Sequence, residues 1–88
     1  MTTDPILTVL AADRHPGVRD ICRWLDSSHH TKPGRARDVA RSFEAGAAGL
    51  LTMVPEDSAE LTAGLRKLLE AKDCFVRAAI AASQDADR

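Results

Sequence analysis

A long apolar stripe that ends at a proline constrains the fold of this chain more than any other feature. Its members follow one another at intervals of four, four, three and four positions: Val39, Phe43, Ala47, Leu50 and Val54. Residues at these intervals lie on one face of an α-helix. Pro55 comes directly afterwards and stops the helix. The pattern therefore predicts a long helix from about residue 33 to residue 54.

A second long helix is predicted immediately after this proline. Asp57 is a favourable N-cap residue and Glu60 follows three positions later, which is a variant of the capping box. The apolar pattern then continues to Ala82. Two long helices with a short connection pack as antiparallel neighbours. The sequence therefore predicts an all-α fold built on a helical hairpin over residues 32–82, with a polar, frayed tail at 83–88.

The preceding part of the chain, residues 1–31, is predicted to hold short helices and a loop. Asp4 and Pro5 fit the N-cap and first position of one short helix, because proline is favoured there. The next helix spans about residues 16–25. Its apolar face has four members: Val18, Ile21, Cys22 and Leu25. We therefore expect one helical domain over residues 1–88.

The chain is short enough that its own core is thin. At 88 residues and 3% aromatic content, a folded monomer buries only about 60–65% of the surface that the unfolded chain exposes. The last long helix nevertheless carries two apolar stripes, where one is usual for a surface helix. The first stripe comprises Leu61, Leu65, Leu68, Phe75 and Ala79, and the second comprises Leu69, Val76 and Ile80. The second stripe indicates a second partner, which is the N-terminal helices, another subunit or both, and homo-oligomerisation is the favoured interpretation.

Three glycines lie inside the predicted long helices: Gly46, Gly49 and Gly64. A glycine in a helix interior costs about 1 kcal/mol relative to alanine. Their presence among small residues predicts a close helix crossing or a backbone that a ligand approaches. The alternative is that they are tolerated surface glycines.

Length and charge exclude several classes of function. The chain is too short for a two-domain enzyme or a dinucleotide-binding fold, it has no motif of a catalytic centre, and its cysteines and histidines match no zinc pattern. We therefore expect no enzyme, no metal and no cofactor. No apolar run reaches the roughly 20 residues of a membrane span and no signal peptide is visible, which predicts a cytoplasmic protein.

The net charge is −1, yet seven basic and only three acidic residues lie between Arg14 and Arg41. This distribution suits a small anion better than a nucleic-acid polymer. The aromatic, imidazole and basic side chains of the region could bind a phosphate-bearing nucleotide: Trp24, His29, His30, Lys32, Arg37 and Arg41. Trp and His rings stack on bases, and arginines bind phosphates through two parallel hydrogen bonds. The helix beginning near Gly34 adds free backbone N–H groups. The alternative is a core tryptophan beside a solvated basic loop.

The segment from Glu60 to Ile80, ELTAGLRKLLEAKDCFVRAAI, resembles the last helix of a family of small phage-encoded helical hairpin proteins. The matching residues are Leu65, Lys67, Leu68, Glu70, Ala71, Val76, Arg77 and Ala78. The preceding helix is similar to the other hairpin helix of that family at Val39, Arg41 and Phe43. The resemblance covers residues 24–82. The family is that of the anti-CBASS and anti-Thoeris sponges.

This resemblance implies a non-enzymatic protein that sequesters cyclic immune messengers inside an infected bacterial host. It implies a homo-oligomer, expected to be a hexamer, with cyclic dinucleotide pockets between subunits and separate trinucleotide pockets. Arg41 stands at the family's basic position, Trp24 stands for its aromatic residue, and His29 or His30 stands for its histidine. Thr62 matches the threonine that begins the last helix and is the seventh candidate ligand-binding residue. The residue before it, Leu61, replaces an expected basic residue.

Two other functions fit the same sequence. A structural or protein-interaction hairpin would use the double stripe of the last helix to cover a partner. A small nucleic-acid-binding regulator would need a steeply salt-dependent affinity for DNA, which a chain of net charge −1 favours least.

Overall fold

The structure is a computed structural model that describes residues 6–86, and it is all-helical over that range, as predicted. Four helices follow one another: α1 Ile6–Leu10, α2 Pro16–Leu25, α3 Arg35–Met53 and α4 Ala59–Ala86. None of the described residues lies in a strand. The fold is a compact slab of 47 × 34 × 19 Å. Its thickness corresponds to about two helix diameters, so the outer helix faces have no further layer over them.

The ends of the long helices differ from the predicted ones. Helix α3 begins at Arg35 and not at residue 33, because Gly34 takes the N-cap position with φ of 148°, a backbone angle that favours glycine. Helix α4 continues to Ala86, so the predicted frayed tail is wrong for residues 83–86. The predicted N-cap pair Asp4 and Pro5 lies outside the described residues.

The predicted capping box of α4 is also wrong. Ser58 caps the helix, since its Oγ accepts a hydrogen bond from the backbone N–H of Leu61 at 3.0 Å. The carboxylate of Asp57 turns instead to the N-terminal part of the chain. There it accepts bonds from Arg14 Nε at 2.6 Å and from the backbone N–H of His15 at 2.7 Å.

Arg14 joins three elements at this point. Its guanidinium donates to the carbonyl oxygens of Leu51 at 3.3 Å and Val54 at 2.9 Å, at the C-terminal end of α3. The side chain is only 12% exposed. Because helix-terminal carbonyls lack partners within the helix, the arginine acts as a C-terminal cap for α3 and fixes the connection to α4.

The core lies where α1 and α2 pack on the α3–α4 pair. Its buried members are Leu7, Ala11, Val18, Ile21, Cys22, Leu25, Ala47, Leu51 and Leu65. The apolar face predicted for α2 is buried throughout. Burial also raises the pKa of the Cys22 thiol from 9.0 to about 11, which makes it an unreactive packing residue.

The inward face of α3 is rotated by about one residue from the predicted stripe. Ala40, Ala47 and Leu51 are its buried residues, whereas Leu50 is 43% and Val54 is 40% exposed. The predicted stripe placed Leu50 and Val54 on the same face as Ala47. The stripe is wider than the area that α1, α2 and α4 cover.

The buried line of α4 combines members of both predicted stripes with one charged residue. Leu65, Lys72, Val76 and Ala79 are buried, whereas Phe75 is 58% and Ile80 is 46% exposed. The ring of Phe75 forms an aromatic pair with Phe43 of α3, at a centroid distance of 5.8 Å.

The three helix-interior glycines do not mark a close crossing within this chain. A Cβ atom built at Gly46, Gly49 or Gly64 would have no atom within 4 Å, apart from neighbouring helix backbone. The prediction of a tight helix–helix contact there is therefore wrong for the single chain.

The open space around Gly46 predicts the effect of filling it with a methyl group. We expect Gly46→Ala to raise the free energy of unfolding by about 0.5–1 kcal/mol, because alanine loses less backbone entropy in a helix. Gly34→Ala is the matched contrast and is expected to destabilise, since its φ of 148° strains any L side chain. Chemical denaturation followed by circular dichroism measures both, and a destabilising Gly46→Ala would contradict the open position.

Candidate ligand-binding site

The loop between α2 and α3 is held in place by two carboxylates. Asp26, which is 3% exposed, accepts a hydrogen bond from the backbone N–H of Ser28 at 2.9 Å. Glu44 of α3 accepts from the backbone N–H of Ser27 at 2.8 Å. These bonds fix the start of the loop against α3, so the backbone that carries the following side chains has a defined position.

Lys72 of α4 holds the other side of this loop. Its ammonium group donates to the carbonyl oxygen of Trp24 and, at 2.9 Å, to that of Asp26, which are orphan acceptors at the C-terminal end of α2. The side chain is 3% exposed. Burial lowers the pKa of Lys72, opposed by the nearby carboxylates of Asp26, Asp73 and Glu44. Lys72 is therefore a buried cap of the C-terminal end of α2 and not a surface charge.

Two aromatic rings form one wall of the candidate site. Trp24 stacks on His29 with ring centroids 5.1 Å apart and planes inclined by 20°. Trp24 is 55% exposed, so the alternative of a core tryptophan is wrong. Since His29 covers one of its faces, a further ring would stack on the outer side of the pair.

His30 lies beside this wall. Burial lowers its pKa, and the positive charge of Lys72 and the neighbouring His29 lower it further. The neutral imidazole is thereby favoured at neutral pH, where it both donates and accepts a hydrogen bond.

The basic side chains lie on the opposite side of the loop. Arg37 and Arg41 are one helical turn apart on α3, and with His30 they line an opening of about 320 Å³. Within the described part of the chain, neither guanidinium has a carboxylate oxygen within 4.0 Å. The Nε of Arg37 is buried and has no hydrogen-bond partner. Both guanidiniums are therefore available for an anion.

Three openings adjoin one another around His30. The first contains the two arginines, the second of about 330 Å³ is lined by Lys32 and His29, and the third of about 420 Å³ is lined by Trp24 and Lys72. Six of the seven candidate residues thus gather around one loop: Trp24, His29, His30, Lys32, Arg37 and Arg41. The start of α3 is there too, and its N-cap Gly34 makes no side-chain cap.

Thr62 lies elsewhere. It lines a separate opening of about 490 Å³ together with His15, Asp57 and Arg66. Its hydroxyl donates to the backbone carbonyl of Ser58 at 3.1 Å, which is a bond within the first turns of α4. The structure does not bring Thr62 to the other six residues.

Sequence reasoning missed two residues of this site, Lys72 and Glu44. The signal for Lys72 was its position on the buried line of α4, seven residues after Leu65 and four before Val76. A lysine at such a position is either capping a backbone or paired. Glu44 gave no comparable signal, because its partner Ser27 is a loop residue whose distance from α3 is set by the tertiary fold.

Comparisons of the chain with protein-family models, with curated proteins and with solved structures give no significant match. No group of three or more His, Cys, Asp or Glu side chains within the described residues is arranged to hold a metal ion. Over the same residues, no helix combines the length and apolar character that a membrane span requires.

Proposed function

We propose that this protein binds a small phosphate-bearing nucleotide of the cyclic oligonucleotide class at the loop between α2 and α3. It acts as a non-enzymatic sponge that lowers the free concentration of the messenger. One observation carries the proposal: Arg37 and Arg41, which have no carboxylate oxygen within 4.0 Å among the described residues, line the same loop as the stacked Trp24–His29 pair. The resemblance of α4 to the anti-CBASS and anti-Thoeris sponges supports the same ligand class.

Each group has a role that follows from its chemistry. The guanidiniums of Arg37 and Arg41 bind phosphate oxygens as charge-assisted forks, and Lys32 adds a third positive charge. A base stacks on the outer face of the Trp24–His29 pair. The neutral imidazole of His30 forms a hydrogen bond to a base edge or sugar hydroxyl.

The scaffold in this proposal is an antiparallel hairpin of α3 and α4 within a homo-oligomer, for which a hexamer is the expected form. Each of the three openings is about 320–420 Å³, and pockets for drug-sized ligands span roughly 300–1,000 Å³. A cyclic dinucleotide with two bases and two phosphates would extend over adjoining openings. A second subunit placed over the loop would close them.

The ligand is tested by calorimetry with a panel of cyclic di- and trinucleotides. We expect micromolar or tighter binding of at least one of them. Arg41→Ala is expected to weaken it about 10- to 100-fold, which is the effect of losing one charged hydrogen-bonding group. Arg66→Ala removes the same charge from another opening and is expected to leave dinucleotide binding unchanged.

The same samples distinguish sequestration of the nucleotide from its enzymatic turnover. Denaturing the complex should release the nucleotide intact, as shown by mass spectrometry of the supernatant. Absence of binding across the panel, or equal effects of Arg41→Ala and Arg66→Ala, would refute the proposed site.

A second function is favoured by a different observation. Large apolar side chains are exposed on both long helices, among them Leu50, Val54, Phe75 and Ile80. A structural or protein-interaction module would use them to cover a partner. It predicts that Phe75→Asp abolishes function while Arg41→Ala leaves it intact. Phe75 suits this test better than the buried Val76, because its substitution spares the core.

A further inference from the structure

The end of α3 and the first half of α4 form an apolar groove that shares no lining residue with the candidate site. Its volume is about 520 Å³. The walls come from Leu50 and Val54 of α3 and from Leu61, Leu65 and Leu68 of α4. No element within the described residues covers it, since Leu50 and Val54 remain about two-fifths exposed.

On the α4 side of the groove, large and small residues alternate at coiled-coil spacing. Leu61, Gly64, Leu68 and Ala71 lie three, four and three positions apart and all line the groove. This is the spacing of a helix seam. A Cβ at Gly64 would meet nothing within 4 Å, so the groove is open at its centre and another helix can approach closely.

The charges along one edge of the groove are complementary to themselves. Glu60 and Lys67 both line it, and they are seven residues apart, which is the same position in successive heptads. When two identical helices pack antiparallel about a two-fold axis, equivalent edge positions face each other. Glu60 of one copy would then meet Lys67 of the other, twice in each dimer, with the axis near Gly64.

We infer that this groove binds the same groove of a second copy of this chain, with the two α4 helices antiparallel and crossing at Gly64. The inference rests on the self-association contained in the proposed function, but it uses no residue of the ligand site. It gives Gly64, where a Cβ would meet nothing beyond the backbone of its own helix, a reason to be a glycine. It also places Glu60 and Lys67, which form no ion pair with another described residue, in two equivalent ion pairs.

A charge-swap series measured by analytical ultracentrifugation and native mass spectrometry tests this interface. We expect the wild-type chain to associate at about 0.1 mM or below. Glu60→Lys and Lys67→Glu should each weaken the dimer about tenfold or more, because each turns two attractive pairs into two repulsive ones. The double variant should restore association. Glu70→Lys makes the same charge change outside the groove and should have no effect.

A second variant separates association from folding. Gly64→Gln fills the centre of the groove but has open space in the monomer and a better helix propensity. It should therefore abolish the dimer contact while the helix content stays constant or rises. A monomeric wild type, single swaps without effect, a double swap without rescue, or a groove that binds only a different protein would each overturn the inference.

Calorimetry on the same samples distinguishes failure of the inferred dimer interface from failure of the proposed function. Ligand binding with unchanged association in every groove variant would overturn the interface alone. Association without binding of any cyclic nucleotide would refute the ligand and leave the interface standing.

Discussion

Replacing Lys72 with methionine is expected to lower the free energy of unfolding by about 2–3 kcal/mol, because a buried charged donor is lost from two carbonyl oxygens. Methionine keeps the apolar stem in its 3%-exposed position and removes only the ammonium group. The carbonyls of Trp24 and Asp26 then remain without this donor. For a domain of this size, the change corresponds to a fall of roughly 10 °C or more in Tm.

The same substitution is expected to alter the candidate site. Trp24 is the only tryptophan in the sequence, so its emission maximum reports directly on the stacked wall. We expect a changed emission in folded Lys72→Met, together with weaker nucleotide binding. Lys32→Met is the matched control for stability, because Lys32 is exposed in the loop and should change the free energy of unfolding by no more than about 0.5 kcal/mol.

The stability difference between wild type and Lys72→Met depends on pH with a definite sign. The pKa of folded Lys72 lies below its ordinary value of 10.5. At pH values between this lowered pKa and 10.5, the unfolded chain therefore retains a proton that the folded chain has released. The stability of wild type relative to Lys72→Met therefore rises as the pH increases through that window. Equal stabilities of the two proteins at pH 7, or a difference that shrinks with alkaline pH, would contradict the role assigned to Lys72.

The long helices were predictable because their signals are local. The stripe beginning at Val39 and the stop at Pro55 depend only on spacing and on the chemistry of proline. The rotation of the buried face of α3, from Leu50 to Leu51, was not predictable. It depends on how far the short helices α1 and α2 reach across α3, which is a tertiary property.

The capping of α4 shows the same division between local and tertiary information. Asp57 and Ser58 are both good N-cap residues, so the local sequence does not choose between them. The choice is made by Arg14, which is 43 positions away from Asp57 and binds its carboxylate. Only the fold brings these two residues together.

The candidate site was predictable where its residues are close in sequence. Trp24, His29, His30 and Lys32 flank or occupy one loop, and Arg37 and Arg41 are on one face of the following helix. Their convergence needs only the turn between α2 and α3. Lys72 reaches the site from α4, and its involvement depends on the packing of α2 against α4. The resemblance assigned Thr62 to ligand binding, but its opening is separate.

Replacing Arg14 with alanine is expected to destabilise the protein by about 2 kcal/mol or more through the lost bonds to the carbonyls of Leu51 and Val54. The side chain connects the segment before α2 to the α3–α4 connection, and it is 12% exposed. Arg14→Lys keeps the charge but cannot span three acceptors, so it should recover only part of the loss. Arg23→Ala is the control, because its pair with Asp20 is exposed and 3.8 Å long and is worth at most about 0.5 kcal/mol.

Acid titration distinguishes a specific interaction of Arg14 with Asp57 from a general loosening of the fold. The hydrogen bonds from the His15 backbone N–H and from the Arg14 side chain hold the pKa of Asp57 below its ordinary value of 3.8. The stability that this pairing provides is therefore present above pH 3.8 and is lost as the pH falls through the lower pKa of the folded state. The Asp57 part of the Arg14→Ala destabilisation should therefore be present at neutral pH and shrink in acid, whereas the part due to the carbonyls of Leu51 and Val54 should remain. Urea denaturation at pH 7 and at a series of pH values below 3.8 measures both parts, and a destabilisation that stays equal throughout would show that Arg14 acts through the two carbonyls and not through Asp57.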